Sequence, residues 1–274
     1  MDYNGGRRGK PAGHLAVSSD SVRKSSASRL ASADSAAPQR HKTIIMIIKV
    51  CGMRDADNIR EVTKLGIDMM GFVFCKESPR FIQMISSRAG IIPDYSEERL
   101  RRSCGKEDPT LATPRRVGVF ADEMPQTIVT RVYNYVLDFV QLHGTESREM
   151  VENLKRTLIP DIAPNIKIIK TISIGSREDV AKCAAYEGVA DMFLFEGRCN
   201  HGEDCEEGFD WSMLEAYEGH TPFLLGGGIG PDDAEGIRNF RHPQFAGINL
   251  DSRFETEPAV KDVQKLKDFL ARVR

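Results

Sequence analysis

The chain has 274 residues, with 38 Lys and Arg against 40 Asp and Glu, a net charge of −2 and six cysteines. A near-neutral balance removes the electrostatic case for nucleic acid or an anionic membrane surface, and no apolar run approaches the length of a membrane span. Cys51, Cys75, Cys104, Cys183, Cys199 and Cys205 are scattered with no apolar signal segment before them, which reads as reduced thiols in a soluble cytoplasmic protein rather than as a disulfide framework.

Residues 1–42 are rich in Ser, Ala, Gly and Arg, lack aliphatic periodicity and carry eight Lys or Arg against three Asp. Such a segment buries too little apolar surface to offset its ordering entropy. Residues 1–43 are therefore expected to be a disordered extension, dispensable for folding or a product of a miscalled start ahead of Met46, and residues 44–274 the folded domain. The first strand is expected over 44–50, an apolar run that stops at Cys51-Gly52 and feeds a helix over 55–65 with Gly66 as its cap. Cys51 then sits at a strand's C-terminal end, where α/β sheets place their chemistry, and is a candidate base or nucleophile. A small buried hydrophobe is the alternative reading.

The second strand, 69–74, runs into Cys75-Lys76-Glu77-Ser78-Pro79-Arg80, a loop whose Lys76 and Arg80 suit an anionic substrate. Residues 84–91 are a candidate short helix, and 93–114 read as a surface excursion. The third strand follows at 116–120, with a helix over 125–135 opened by Pro125. In the fourth strand and its exit turn, 139–144, alternation puts Gln141 and His143 on one side, opposite Val140 and Leu142. That side faces either a ligand or a polar-satisfied core. A helix over 147–158, a fifth strand over 166–171 and a helix over 176–187 with a Ser176-x-x-Asp179 start come next. The sixth strand, 192–196, ends in Glu196, the second candidate for acid–base chemistry, with a structural ion pair as the alternative.

The loop 197–208 holds Cys199, His201, Glu203, Asp204, Cys205, Glu206 and Glu207. Its spacing fits no standard zinc pattern, so a solvated acidic loop and no metal are expected. A helix over 211–217 precedes the seventh strand and glycine-rich turn, 223–231, where backbone N–H groups can approach an anion at the start of the next helix. The eighth strand, 245–250, exits through Asp251-Ser252-Arg253, and residues 260–273 form a closing amphipathic helix. Eight strand–helix alternations with no early Gly-x-Gly-x-x-Gly turn imply a single (β/α)8 TIM barrel of the α/β class. The loops after strands seven and eight, which often hold phosphate in such barrels, are here Gly226 to Gly230 and Asp251-Ser252.

The segments Lys49-Val50-Cys51-Gly52-Met53, Gly71-Phe72-Val73-Phe74 with Ser78-Pro79-Arg80, Val140-Gln141-Leu142-His143-Gly144, Phe209-Asp210-Trp211 and Gly227-Gly228, in this order, resemble the phosphoribosylanthranilate isomerases of tryptophan biosynthesis. The resemblance implies an Amadori rearrangement of a small phosphosugar without a cofactor, in a monomer or homodimer. It implies Cys51 as general base and Glu196 as acid. It also implies Arg80, Gln141, His143 and Asn249 at the substrate, and Gly227, Gly228, Asp251 and Ser252 at its phosphate. Three positions depart from the family pattern: Glu196 stands where the family has Asp, Glu203-Asp204-Cys205-Glu206 replaces a Gly-Gly-x-Gly stretch, and Asn249 replaces an Asp while Asp251 replaces a small polar residue. They bear on catalysis rather than on fold, and a slow isomerase is expected. The alternatives are an impaired family member that binds a phosphate ligand or a partner, and another phosphosugar enzyme on the same scaffold.

Overall fold

The structure, a computed structural model, describes residues 46–82, 113–198 and 208–274. The expectations for the leader, for a helix at 84–91 and for the acidic loop with its Cys199, His201 and Cys205 lie outside these residues. In chain order the elements are β1 (Ile47–Val50), α1 (Ala56–Thr63), β2 (Met69–Val73), β3 (Arg115–Phe120), α2 (Pro125–Tyr135), β4 (Phe139–Leu142), α3 (Arg148–Asp161) and β5 (Lys167–Ile174). They continue with a 3-10 segment (Arg177–Ala185), β6 (Met192–Gly197), a 3-10 segment (Trp211–Ala216), β7 (Phe223–Leu225), α4 (Ala234–Asn239), β8 (Phe245–Leu250), a hairpin of β9 (Glu255–Glu257) and β10 (Val260–Lys261), and α5 (Val263–Val273). Strands β1 to β8 pair in sequence and close into a barrel, with β1 parallel to β8 in the register Lys49 to Asn249.

Local sequence explains the helix boundaries. Asp55, Ser147 and Asp262 each accept the backbone N–H three residues on, which satisfies one otherwise orphaned donor at the starts of α1, α3 and α5. Helix α3 runs through Pro160 to Asp161, beyond the expected end at 158. Both helices expected over 176–187 and 211–217 wind instead as 3-10 turns, with i to i+3 bonds such as Asp179 N–H to Ser176 O and Tyr217 N–H to Leu214 O. The closing helix starts three residues late. Asp262 caps it, and Val260–Lys261 pairs antiparallel with Glu255–Glu257 in the hairpin.

Strand alternation divides the barrel into an outer and an inner core. Outward residues such as Ile48, Val50, Phe72, Phe120, Phe193 and Phe223 pack under the helices. Inward, the N-terminal half is apolar, with Met69, Val117, Phe139, Ile169, Leu194 and Leu224 in one buried cluster. Toward the C-terminal end of the strands the same inward positions turn polar: Lys49, Gln141, Thr171, Glu196 and Asn249 are all buried. A buried polar layer above an apolar plug gives the barrel a floor and a reactive mouth.

Candidate active site

A cavity of about 590 Å³ opens at that mouth, within the range of small-molecule sites. Cys51, Arg80, Gln141, His143, Glu196, Gly227, Gly228, Asn249, Asp251 and Ser252 all line it. Lys76, read with Arg80 as an anion-binding cation, is exposed and is not part of the wall.

Cys51 follows β1 and is 4% exposed. Its Sγ occupies space that a side chain at residue 71 would need, since a Cβ on Gly71 would come within 2.6 Å of it. A glycine on β2 thus makes room for the thiol. Burial pushes the Cys51 thiol up, Lys49 pulls it down, Asp251 raises it and Lys261 lowers it. Cys75, also on the wall, is pushed by burial to about 12 and stays a neutral thiol.

Glu196 reaches in from β6. Asn249 Nδ2 donates to its Oε1 at 3.2 Å, and His143 Nε2 lies 3.4 Å from its Oε2. Asn249 in turn accepts from Lys49 Nζ at 2.6 Å through Oδ1. Lys49, Asn249, Glu196 and His143 therefore form one polar chain across the mouth, running from a fully buried ammonium to an imidazole that is 42% exposed. Gln141 Nε2 donates to Thr171 Oγ1 at 3.1 Å, while its buried Oε1 meets no hydrogen-bond donor among the described residues. Gln141 lines the cavity, where a ligand hydroxyl or amine can satisfy that acceptor.

Arg80 is engaged before any ligand arrives. Its Nε and Nη2 donate to the Glu255 carboxylate at 2.9 and 2.6 Å, and Asp251 Oδ1 lies 3.2 Å from Nε. Lys261, fully buried, reaches Asp251 Oδ1 at 2.7 Å and Glu255 Oε1 at 2.5 Å. Against the upward pull of burial, Lys261 and then Arg80 hold the Asp251 carboxyl below the usual range. Two cations and two carboxylates thus form one cluster, of which Arg80 and Asp251 reach the cavity wall. Glu255, Lys49 and Lys261 went unassigned in the sequence. Lys49 carried a signal, because a lysine two residues before Cys51 in an apolar strand must share its inward face. Lys261 did not, because it fits a helical face as well as a strand.

Next to that wall the glycine turn after β7 holds Gly227 and Gly228 at φ +71°, a left-handed conformation open mainly to glycine. A Cβ on Gly227 would also meet Gly197 N at 2.6 Å. The N–H groups of Gly227, Gly228 and Ser252 donate to no described residue. They are turn and loop donors rather than the helix terminus that the sequence suggested. The N–H of Gly230, next along, is already taken by Asp233 Oδ2 at 2.7 Å, and α4 beyond it has six residues.

A family model described as N-(5'-phosphoribosyl)anthranilate (PRA) isomerase matches residues 48–272. The N-(5'-phosphoribosyl)anthranilate isomerase of Parabacteroides distasonis is 42% identical over 228 residues, which cover 83% of this chain and 93% of the relative. That of Phocaeicola vulgatus is 37% identical over 84% of this chain and 98% of its own. Among solved structures, the phosphoribosyl anthranilate isomerase of Thermus thermophilus superposes with a TM-score of 0.63 at 24% identity, covering 83% of this chain and 98% of that one. A structure of the dimeric enzyme from Thermotoga maritima, in monomeric form, superposes with a TM-score of 0.62 at 23% identity over 84% and 98% of the two chains. At these identities the structures speak for the barrel fold.

Proposed function

The chain belongs to the N-(5'-phosphoribosyl)anthranilate isomerase family, the aldose–ketose isomerases of tryptophan biosynthesis, and from that premise we propose that Cys51 is its general base and Glu196 its general acid. Glu196 protonates the ribose ring oxygen of N-(5'-phosphoribosyl)anthranilate, and the ring opens to a Schiff base. Cys51 as thiolate takes the C2′ proton. The enolamine that results tautomerises to the 1-deoxyribulose 5-phosphate derivative. Gly227, Gly228 and Ser252 hold the phosphate through their backbone N–H groups, with Asp251 beside them setting the charge of that rim. Gln141 accepts a substrate donor, and His143 and Asn249 orient the Glu196 carboxyl. Arg80 lends positive field to the anthranilate carboxylate, tempered by its pairing with Glu255.

The observation that carries this reading is that Cys51 and Glu196, at the ends of β1 and β6, line one cavity together with Gly227, Gly228 and Ser252, whose N–H groups are unpaired among the described residues. Acid and base on different walls suit a reaction that needs a proton given at one atom and taken at another. Reduced Cys51, Cys75 and Cys183 and the small net charge support placement in the cytoplasm with a small-molecule substrate and no nucleic acid. No helix among the described residues is long and apolar enough to cross a membrane. The state in solution that we propose is a monomer or a homodimer. Rescue of a tryptophan auxotroph that lacks this isomerase tests the assignment: the wild-type gene should restore growth and Cys51→Ser should not. Equal rescue by both would remove Cys51 from the chemistry.

A further inference from the structure

Three lysines are buried around the barrel mouth, and they differ in what neutralises them. Lys170 Nζ lies 3.1 Å from Glu146 Oε2, and Lys261 pairs with Asp251 and Glu255. Lys49, 0% exposed, has the amide oxygen of Asn249 at 2.6 Å and no carboxylate partner among the described residues. A buried ammonium without a counter-charge is costly, so a protein that keeps one must supply a negative group nearby or lose the proton. The Asp251 carboxylate feels that ammonium but is already held by Lys261 and Arg80, which leaves the Cys51 thiol as the nearby group with no cation of its own. It lies two residues along the same strand, on the same inward face, with its Sγ packed over Gly71.

We propose that Lys49 is the positioning cation that makes Cys51 a thiolate, and that the neutral Asn249 is what leaves its charge available to the sulfur. Cys51–SH gives its proton to solvent, Lys49 remains an ammonium, and the pair Lys49⁺ and Cys51–S⁻ is what meets substrate. A carboxylate at residue 249 would share the ammonium and weaken its pull on the sulfur. The other charges facing Cys51 oppose one another. Asp251 beyond β8 opposes the thiolate and Lys261 on β10 favours it, while Arg80 and Glu255 are paired to one another. Cys75 beyond β2 is neutral, and Glu196 on β6 is reached only through Asn249, with His143 on its far side. Lys49 thereby acts through Cys51 and is not itself a proton carrier.

The inference rests on Cys51 as the base, and its test separates the two. Iodoacetamide alkylation of Cys51, followed by mass spectrometry of its peptide in the intact chain, reports the thiolate fraction against pH without any turnover. Lys49→Met should raise the midpoint of that profile by about one to three pH units, the effect of one close opposite charge. Asn249→Asp, nearly isosteric, should also raise it, by sharing Lys49 and adding a negative charge. An unmoved midpoint in either variant, folded by circular dichroism, overturns the proposal; if Lys49→Met does not fold, Asn249→Asp decides alone. Turnover by Cys51→Ser is measured in parallel. Full activity there sinks the base assignment and leaves the alkylation result standing on its own.

Discussion

Glu196 is the residue on which the proposed chemistry turns. A glutamate where relatives of the kind resembled carry aspartate extends the carboxyl by one methylene, roughly 1 Å, and a displacement of that size can cost about 10²-fold in rate. The extra reach has consequences visible in its contacts, since it places Oε1 on Asn249 and Oε2 near His143. Asp251, the other altered acid of the mouth, is tied to Lys261 and Arg80. Its carboxyl is held low when folded, so it stabilises the protein above the ordinary carboxyl value and that contribution is lost as pH falls through the folded value. Lys261→Met should therefore do two things. It should lower stability at neutral pH by about 3 to 5 kcal/mol, because it leaves two carboxylates short of their buried partner. It should also flatten the rise of stability with pH in the window below about pH 3.9. Urea titrations across pH in both proteins check this, and equal stability throughout would show that Arg80 alone suffices to hold the pair.

At the scale of elements, the two loops that close the mouth differ in how they are built. The turn after β7 offers bare backbone donors in a conformation that glycine permits, whereas the segment after β8 is anchored by side chains through the β9–β10 hairpin. Phosphate should accordingly bind at the first and protect the protein against heat by mass action on the folded state. The midpoint should rise with phosphate concentration in the wild type and much less in Gly227→Ala, whose Cβ would press on Gly197 N. An identical phosphate response in the two would move the anion site elsewhere. The same contrast explains what was legible in the sequence. Glycines at 226–228 and the β-branched runs of β1 and β5 announce themselves locally. The hairpin does not, because Val260 and Lys261 continue the period of α5, and only Asp262, which caps Lys265, marks the break. What fixes Lys261 is a pair of acids six and ten positions away that come close only in the folded barrel.

For the whole molecule, closure of eight parallel strands does the work of bringing residues two hundred positions apart into one site, as with Lys49 and Asn249. The eightfold alternation was readable from periodicity, and so were Cys51, Gln141, His143 and Glu196 as strand-end residues of one barrel face, whereas Asn249 came only from the family resemblance. The electrostatic wiring was not readable, because periodicity says which side a residue faces and nothing about its partner. We propose from their composition that residues 1–42 are dispensable for folding. Deleting them should leave the thermal midpoint unchanged within error, and a drop of several degrees would mean that the leader packs on the barrel.

The central claim is that Cys51 and Glu196 are the base and acid of the isomerisation, and steady-state turnover of N-(5'-phosphoribosyl)anthranilate by the purified chain tests it most directly. The account predicts slow turnover in the wild type, none in Cys51→Ser or Glu196→Gln, and faster turnover in Glu196→Asp. Wild-type rates in Cys51→Ser or Glu196→Gln, or a wild type and Glu196→Asp that are both inert, would contradict it.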